Sequence, residues 1–297
     1  MGANTLSFSG HETFACRQFW LKKGYDHLNA GRSLRDKDAI AYLGVGRNML
    51  TSINFWLQAF GLMEDGELTR LSDFIFSDED GVDPFLENPA SVWLLHYHLV
   101  RTGHASIYQI VFDQIKAERI EFDEDLLISL IDSELSKAGR SASASTIKND
   151  ISTFRRNYVR PQKVTDLEDD LSSLLIELNL VRMVPGQDEG SKKERIYKIE
   201  NRARPEIPPQ VILYGILRQM GEDREALNFH EILNGPLSVG RIFALSAAGL
   251  MEQIEAIVKV YPSIAYTSDG GIQQLTIKEQ ALRENPWSVL EQYYGLA

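Results

Sequence analysis

The sequence predicts a mainly α-helical protein with small β-hairpins, of the α+β class, built from tandem winged-helix-like or helix-turn-helix modules. Apolar residues recur at helical spacing along the chain, and short alternating segments with turn residues follow the helices. At 297 residues the chain exceeds the length at which a single core usually stops growing. We therefore expect three modules: a winged-helix-like N-terminal module (1–118), a helix-turn-helix or winged middle module (119–204) and a winged-helix-like C-terminal module (205–297).

Composition limits the classes of function. Hydrophobic residues make up 43% and charged residues 25% of the chain, which excludes global disorder. The net charge of -11 argues against a protein that coats nucleic acid indiscriminately, because Lys and Arg make the phosphate contacts. Cys16 is the single cysteine and allows neither an internal disulfide nor a cysteine-based zinc cage. Since no secretory leader and no run of ~20 apolar residues is present, we expect a cytoplasmic protein with no membrane partner.

The first module shows a helix, a glycine turn and a second helix over residues 36–60, and residues 61–69 read as a hairpin around Asp65-Gly66. This is the winged-helix order. The second helix begins with Arg47 and Asn48, whose side chains have bidentate geometries for guanine and adenine. Its predicted polar face also includes Asn54, and the candidate DNA contacts on that face are Arg47, Asn48, Thr51 and Ser52.

The charge of the first hairpin disagrees with that geometry. Glu64, Asp65 and Glu67 would repel phosphate if the hairpin lay along a DNA backbone. Two alternatives remain: the helix approaches DNA with the hairpin turned away, or this module binds a protein partner.

The middle module reverses the charge of the chain. Its second predicted helix, residues 144–158, buries Ile147, Ile151, Phe154 and Tyr158 and is capped by Ser143 or Ser145. Between residues 137 and 163, Asp150 is the one acid. We take this as the preferred recognition helix, and its candidate contacts are Arg140, Ser145, Thr146, Lys148, Asn149, Ser152, Thr153, Arg155, Arg156 and Arg160. The alternative is a solvated basic face that docks on the acidic residues 166–170.

Further helices and hairpins follow. A helix over 167–180 precedes a hairpin of residues 181–184 and 195–199, whose basic tip carries Lys192, Lys193 and Arg195. After the prolines at 205, 208 and 209, helices are expected over 211–220, 229–233 and 249–260, and a hairpin over 264–275. Helix-then-hairpin order thus recurs without a fixed repeat period.

Motifs for catalysis are lacking in the sequence. No phosphate loop or dinucleotide fingerprint is present, and residues 44–46 follow a helix rather than a strand. A nucleophilic pair of His11 and Cys16 is explained more simply by packing. His96 and His98, at a spacing of two, point to different helix faces and do not form a metal pair. We therefore expect no enzyme activity, no cofactor and no metal site.

The opening segment carries a distinctive motif, Phe8-Ser9-Gly10-His11-Glu12-Thr13-Phe14, and continues through Arg17, Trp20, Leu21, Lys22, Lys23, Gly24, Tyr25 and Asp26. Together with the turn at 43–46 and the helix at 146–158, it resembles the bacterial domain-of-unknown-function 4007 family. The resemblance implies a genomic context of DNA phosphorothioate modification and anti-phage islands, and it brings no catalytic residues. Two sets of side chains are expected here: core anchors at Phe8, Phe14, Phe19, Trp20 and Tyr25, and a DNA- or partner-facing surface at His11, Arg17, Lys22 and Lys23.

These observations predict a DNA-binding accessory protein of a bacterial DNA-modification, phosphorothioate-type, or anti-phage defence system. Its expected partners are double-stranded DNA and proteins of the modification or defence complex. The alternatives are a protein-interaction scaffold of the same system without DNA contact, and a nuclease with an unrecognised site.

Overall fold

The computed structural model describes residues 6–161, 173–185 and 195–296. The chain divides into two compact units, one of residues 1–111 and 121–199, the other of residues 112–120 and 200–297. The predicted modules 1–118 and 119–204 fall largely into the first unit. Hydrogen bonds join them there, from Cys16 N–H to Asn157 Oδ1 (3.0 Å) and from Leu174 N–H to the Cys16 carbonyl (3.2 Å).

The N-terminal part of the first unit follows the predicted order of elements. Its helices are α1 (Trp20–Asn29), α2 (Ala39–Leu43), α3 (Arg47–Ala59), α4 (Arg70–Phe76) and α5 (Pro89–Thr102). Gly44 ends α2 with φ 64°, and strands β1 (Met63–Glu64) and β2 (Glu67–Leu68) form an antiparallel hairpin. Asp65 and Gly66 both adopt positive φ at its turn, as a tight two-residue hairpin requires. Helix, turn, helix and hairpin are therefore confirmed, and the winged-helix assignment stays a prediction.

The second half of the first unit contains a three-stranded sheet. Helix α6 (Ser106–Gln109) belongs to this unit, whereas residues 112–120, with most of a π-helix (Ile110–Ile115) and all of α7 (Lys116–Glu118), belong to the second. The first unit continues with β3 (Glu121–Phe122), α8 (Glu124–Lys137), α9 (Ala144–Tyr158), a 3-10 helix (Leu174–Leu178), β4 (Arg182–Pro185) and β5 (Arg195–Lys198). The antiparallel strand order is β3-β5-β4. Of the helix predicted at 167–180, residues 167–172 lie outside the described residues, and the described part is the 3-10 helix.

Aromatic side chains form the centre of the first unit. Tyr108 lies 6.0 Å from Trp56 and 5.6 Å from Phe154, and Phe154 lies 5.3 Å from Tyr158, measured between ring centroids. All four residues are buried. Nδ1 of His96 lies 2.7 Å from the Tyr158 hydroxyl, so this buried polar pair is satisfied internally. The cluster joins α3, α6 and α9 into one core.

The second unit repeats the same sheet topology. Its elements are α10 (Pro209–Met220), β6 (Ala226–Asn228), α11 (Phe229–Asn234), α12 (Val239–Ile242), α13 (Ala247–Val260), β7 (Ile264–Asp269), β8 (Ile272–Ile277), α14 (Gln280–Glu284) and α15 (Trp287–Tyr294). The antiparallel order is β6-β8-β7, so the strand before the helices again pairs with the last strand of the hairpin. No helix among the described residues is both long and apolar enough to cross a membrane.

Lys116 is an unusual charge in the core of the second unit. It is 7% exposed, and its Nζ has no hydrogen-bond partner among the described residues. Burial, together with the nearby charge of Arg204, lowers the pKa of the Lys116 ammonium to about 8. Because this folded-state pKa lies below the unfolded value, the penalty is fully present at pH 7. It is relieved as the pH rises from about 8 toward the unfolded pKa of ~10.4.

We expect Lys116→Met to raise the free energy of unfolding by about 1–3 kcal/mol at pH 7, because it removes an unsatisfied buried ammonium and keeps similar volume. The gain should shrink between pH 8 and pH 10. Denaturant titration at several pH values measures both effects. Lys259→Met, at an exposed position of α13, is the control and should change stability by less than ~0.5 kcal/mol. A Lys116→Met protein less stable than the wild type would contradict this account.

Candidate nucleic-acid interface

Helix α9 has polar residues on both its buried and its outer side. Asp150, Thr153 and Asn157 are buried together with the predicted apolar residues, whereas Lys148 and Asn149 are exposed. Thr153, expected on the outer face, therefore lies inside. The periodicity did not reveal this because the hydrogen bonds that satisfy these inward residues form only in the folded chain: Asp150 and Asn157 bond to the opening segment, and Thr153 accepts from Arg156.

The opening motif meets α9 at Asp150. The carboxylate, 3% exposed, accepts the Ser9 N–H at 2.9 Å, and its other oxygen lies 3.1 Å from Nε2 of His11. Nδ1 of His11 accepts the Thr13 N–H at 3.2 Å. Since Nδ1 is an acceptor, the neutral ring carries its proton on Nε2 and donates it to Asp150.

His11 is a structural residue of this loop. It is 2% exposed and stacks on Trp56 of α3, with ring centroids 6.0 Å apart and planes 17° apart. Gly10 lies so close to the Phe55 ring that an added Cβ would collide with it. The prediction that His11 lines a DNA- or partner-facing surface is therefore wrong. Its burial could not be inferred from the sequence, because its partner Asp150 lies 139 positions away.

A second polar cluster holds the end of the same segment. Asn157 Oδ1 accepts the Cys16 N–H at 3.0 Å and the Ser173 hydroxyl at 3.0 Å, and its amide nitrogen donates to the Tyr108 hydroxyl at 2.5 Å. Cys16 itself is fully buried, and burial raises the pKa of its thiol. Segment 6–17 is thus fixed to α9 at two positions about two helical turns apart.

Two of the predicted DNA-binding arginines contact this segment. Arg140 donates to the Leu6 carbonyl and Arg156 to the Thr13 carbonyl, although both residues are exposed. Arg156 also donates to Thr153 Oγ1 at 3.2 Å. Their positive charges remain at the surface, but part of their hydrogen-bonding capacity holds the opening loop.

The remaining predicted contacts of α9 face outward to different degrees. Lys148, Asn149, Ser145 and Arg160 are exposed, and Thr146, Ser152 and Arg155 are half-buried. Within the described ranges, neither Lys148 nor Arg155 forms an ion pair with an acid. Ser143 accepts the Thr146 N–H at 3.1 Å and is the predicted N-cap of the helix.

The first helix-turn-helix presents a smaller polar face than expected. Arg47, Asn48 and Thr51 are exposed, and Asn54 is half-buried. Ser52 is fully buried, so its prediction as a DNA contact is wrong. Helix α3 packs against α1, α2, α5 and β1, and this encirclement buries more of its surface than one apolar stripe predicts. The acidic residues Glu64, Asp65 and Glu67 of the hairpin are exposed.

The other predicted surface residues have varied environments. Lys22 is half-buried between Asp26 (2.5 Å) and Asp78 (2.6 Å), and Arg17 lies over the Trp20 ring at 5.3 Å. Phe19, which immediately precedes α1 and was expected in the core, is 58% exposed, so that prediction is wrong. The exposed residues include Lys23 and Arg195, and Arg195 pairs with Glu124 at 3.3 Å. Lys192 and Lys193 lie outside the described residues.

No group of three His, Cys, Asp or Glu side chains that could hold a metal ion occurs in the described part of the chain. The outer side of α9 instead brings together ammonium, guanidinium, amide and hydroxyl groups. Such groups bind anions and the edges of bases through charge and hydrogen bonds.

Fold and surface together define an α+β protein with a rigidly anchored, cationic helix and two three-stranded sheets of similar topology. The chain belongs to the family described as protein of unknown function (DUF4007), which it matches over residues 8–294. The predicted family membership is therefore confirmed. No curated protein sequence matches the chain.

Two solved structures are similar to the whole chain. A magnesium ion-bound crystal structure of a protein named SspB has a TM-score of 0.83 and 26% identity, and covers 98% of this chain and 88% of that one. A second SspB crystal structure has a TM-score of 0.81 and 25% identity with the same coverage.

We expect Asp150→Asn to lower the free energy of unfolding by about 2–4 kcal/mol, because it removes the charge-assisted hydrogen bonds to Ser9 and His11 and its new NH₂ group faces a donor. Hydrogen exchange should accelerate in residues 6–17 more than elsewhere. Asp125→Asn, at an exposed position of α8, is the matched control. Unchanged exchange in residues 6–17 would show that Asp150 does not hold this segment.

Proposed function

We propose that this protein is a DNA-binding accessory component of a bacterial DNA-phosphorothioation or anti-phage defence system. The proposal rests on the outer side of α9, where Lys148 and Arg155 lie on a helix whose inner side is fixed by buried hydrogen bonds, and Arg160 follows just after its end. A rigid cationic helix binds the duplex backbone with little loss of conformational entropy. Double-stranded DNA is accordingly the proposed partner.

The second unit provides an internal comparison for this assignment. Helix α13 stands in the same topological position as α9, between the first strand and the hairpin of its sheet. Its exposed residues are Ala247, Ala248, Glu252, Glu255, Lys259 and Val260, so Lys259 is the one exposed cation of this helix. Helix α9 carries Lys148, Arg155 and Arg156 against the buried acid Asp150, whereas α13 carries Lys259 against Glu252 and Glu255. Because the shared topology allows a net positive helix in one unit and a net negative one in the other, the charge on α9 is not a requirement of the fold.

The family and its relatives support the biological setting. Membership in the DUF4007 family and the likeness to SspB agree with a role in a phosphorothioation system. In this setting the protein would work with the proteins of a DNA-modification or defence complex, which would supply the chemistry. The exposed face of α13, small and acidic, is suited to such a protein partner.

A second candidate function follows from the magnesium ion bound to SspB. If this chain also binds that ion, a magnesium-dependent nuclease is the function to consider. Incubation of supercoiled DNA with the protein, with and without magnesium, separates the two: a binder leaves the DNA intact, and a nuclease nicks or linearises it.

We expect Lys148→Ala combined with Arg155→Ala to weaken duplex binding and to lower the slope of log affinity against log salt by about one unit for each phosphate that is no longer neutralised. Fluorescence anisotropy at several salt concentrations measures this. Arg156 is left intact because it holds the opening loop. Lys259→Ala together with Arg218→Ala, both exposed in the second unit, is the charge-matched control. Equal slopes for the two double variants would overturn the assignment to α9.

The first helix-turn-helix is proposed to read base edges. Arg47→Ala with Asn48→Ala should relax sequence preference by about 1–3 kcal/mol per bidentate contact, while the salt slope changes little. Competition among randomised duplexes gives the preference. Thr51→Ala, on the same exposed face, is the milder comparison. An intact preference together with loss of a co-purifying protein would assign this surface to the scaffold role.

A further inference from the structure

A small cavity in the first unit lies beside Lys23, one of the predicted surface residues, and away from helix α9. It has a volume of about 270 Å³, and its lining residues are Lys23, Asp26, His27, Arg32, Tyr42 and Leu43. Helices α1 and α2 and the turn after α1 contribute these side chains. Aromatic, cationic and hydrogen-bonding groups therefore line one cavity.

Tyr42 forms an aromatic platform at this site. The guanidinium carbon of Arg32 lies 4.0 Å from the centroid of the Tyr42 ring, a cation–π contact that covers one ring face. Tyr42 is nevertheless 62% exposed, and the tilted His27 ring lies 6.2 Å away between centroids, so most of the Tyr42 ring remains open to solvent. The Tyr42 ring therefore offers a flat apolar surface, and the Arg32 guanidinium is already positioned on one side of it.

The backbone around the platform is well defined by hydrogen bonds. Gly31 adopts φ 72° at the end of α1, and the Arg32 N–H donates to the His27 carbonyl at 3.3 Å. Nε2 of His27 donates to the Ser33 carbonyl at 3.1 Å. In the neutral ring Nδ1 is then an acceptor, and His27, 3% exposed, is a buried polar side chain of the cavity wall.

The charge at the rim of the cavity is positive. Lys23 is exposed, and its Nζ reaches the Leu43 carbonyl at 3.4 Å. Arg32 is exposed as well. The one acid of the lining is Asp26, which shares Lys22 with Asp78 at 2.5 and 2.6 Å, so the cations Lys23 and Arg32 outnumber it. The rim therefore attracts an anion next to an open aromatic face.

We propose that this cavity binds one unpaired nucleotide, whose base stacks on the open face of Tyr42 while Lys23 and Arg32 pair with its phosphate. This deepens the proposed function, on which it rests, by naming single-stranded or extrahelical nucleotides as ligands. Aromatic stacking with adjacent cations is how proteins bind single strands without strong sequence preference. A paired base does not fit this mode because both of its faces are stacked in the duplex.

The test uses the full chain and a short single-stranded oligonucleotide containing 2-aminopurine, whose fluorescence is quenched by stacking. Tyr42→Ala should weaken binding roughly five- to hundredfold and abolish the quenching, because it removes one base–aromatic stack. Tyr42→Phe should keep both, since the ring remains. Phe85→Ala removes a comparably exposed ring, 60% exposed, and should behave as the wild type.

Arg32→Gln provides a second variant that leaves the ring in place and should weaken binding while quenching at saturation is retained. Wild-type affinity and quenching in Tyr42→Ala would overturn the proposal. Loss of a co-purifying protein from Tyr42→Ala, with nucleotide binding intact, would also overturn the proposal, because the occupant of the cavity would then be a peptide.

The proposed duplex interface can fail separately. Lys148→Ala with Arg155→Ala should lose duplex affinity and keep 2-aminopurine quenching. Duplex binding that depends on α9, with no single-strand quenching in the wild type, would overturn the nucleotide site alone. A wild-type protein that binds neither single nor double strands would overturn both.

Discussion

The first unit depends on the hydrogen bonds made by one carboxylate that is buried away from water, that of Asp150. A buried charge is tolerated only when donors replace the missing water, and here the donors are the Ser9 amide and the His11 ring. Both come from the opening motif, so the packing of α9 and that of the N-terminal segment support each other. Trp56, stacked on His11, extends the same dependence to α3. The motif that looked like a surface for partners is thus the joint between two helices whose outer faces carry the candidate contacts.

Local features of the fold could be predicted, and features that depend on distant partners could not. Gly44, the Asp65-Gly66 turn and the Ser143 cap act through neighbours a few residues away, and the structure places each as expected. Strands β3 and β6 have two and three residues, too short for an alternating pattern, and they exist because β5 and β8 offer free edges. The prediction that Ser52 contacts DNA failed for the same reason. Ser52 is buried because α3 packs against several elements, which is a property of the assembled core. For the candidate interface, charge counting found the outer side of α9, but its inner polar anchors were visible only in the structure.

The two three-stranded sheets show how one topology can serve different surfaces. In each, a short strand, a set of helices and a hairpin close into an antiparallel order with the first strand beside the last. The buried positions of α9 and α13 are constrained by packing, whereas the outward positions are free to vary with little effect on stability. Lysine and arginine face outward on α9, whereas alanine, glutamate and a single lysine, Lys259, face outward on α13. The strand pairing therefore gives little information about which ligand a module binds. The residues on the exposed helix face give most of that information.

The burial of Cys16 has a practical consequence. It is the single cysteine of the chain, it is fully enclosed, and burial holds its pKa above the usual value, so little reactive thiolate forms near neutral pH. A cysteine introduced at an exposed position such as Ser145 or Thr51 would be the preferred target of a maleimide reagent. The native sequence is in this respect a ready background for single-site fluorophores and spin labels. Distances from either helix to a labelled oligonucleotide then become measurable without first removing a natural thiol.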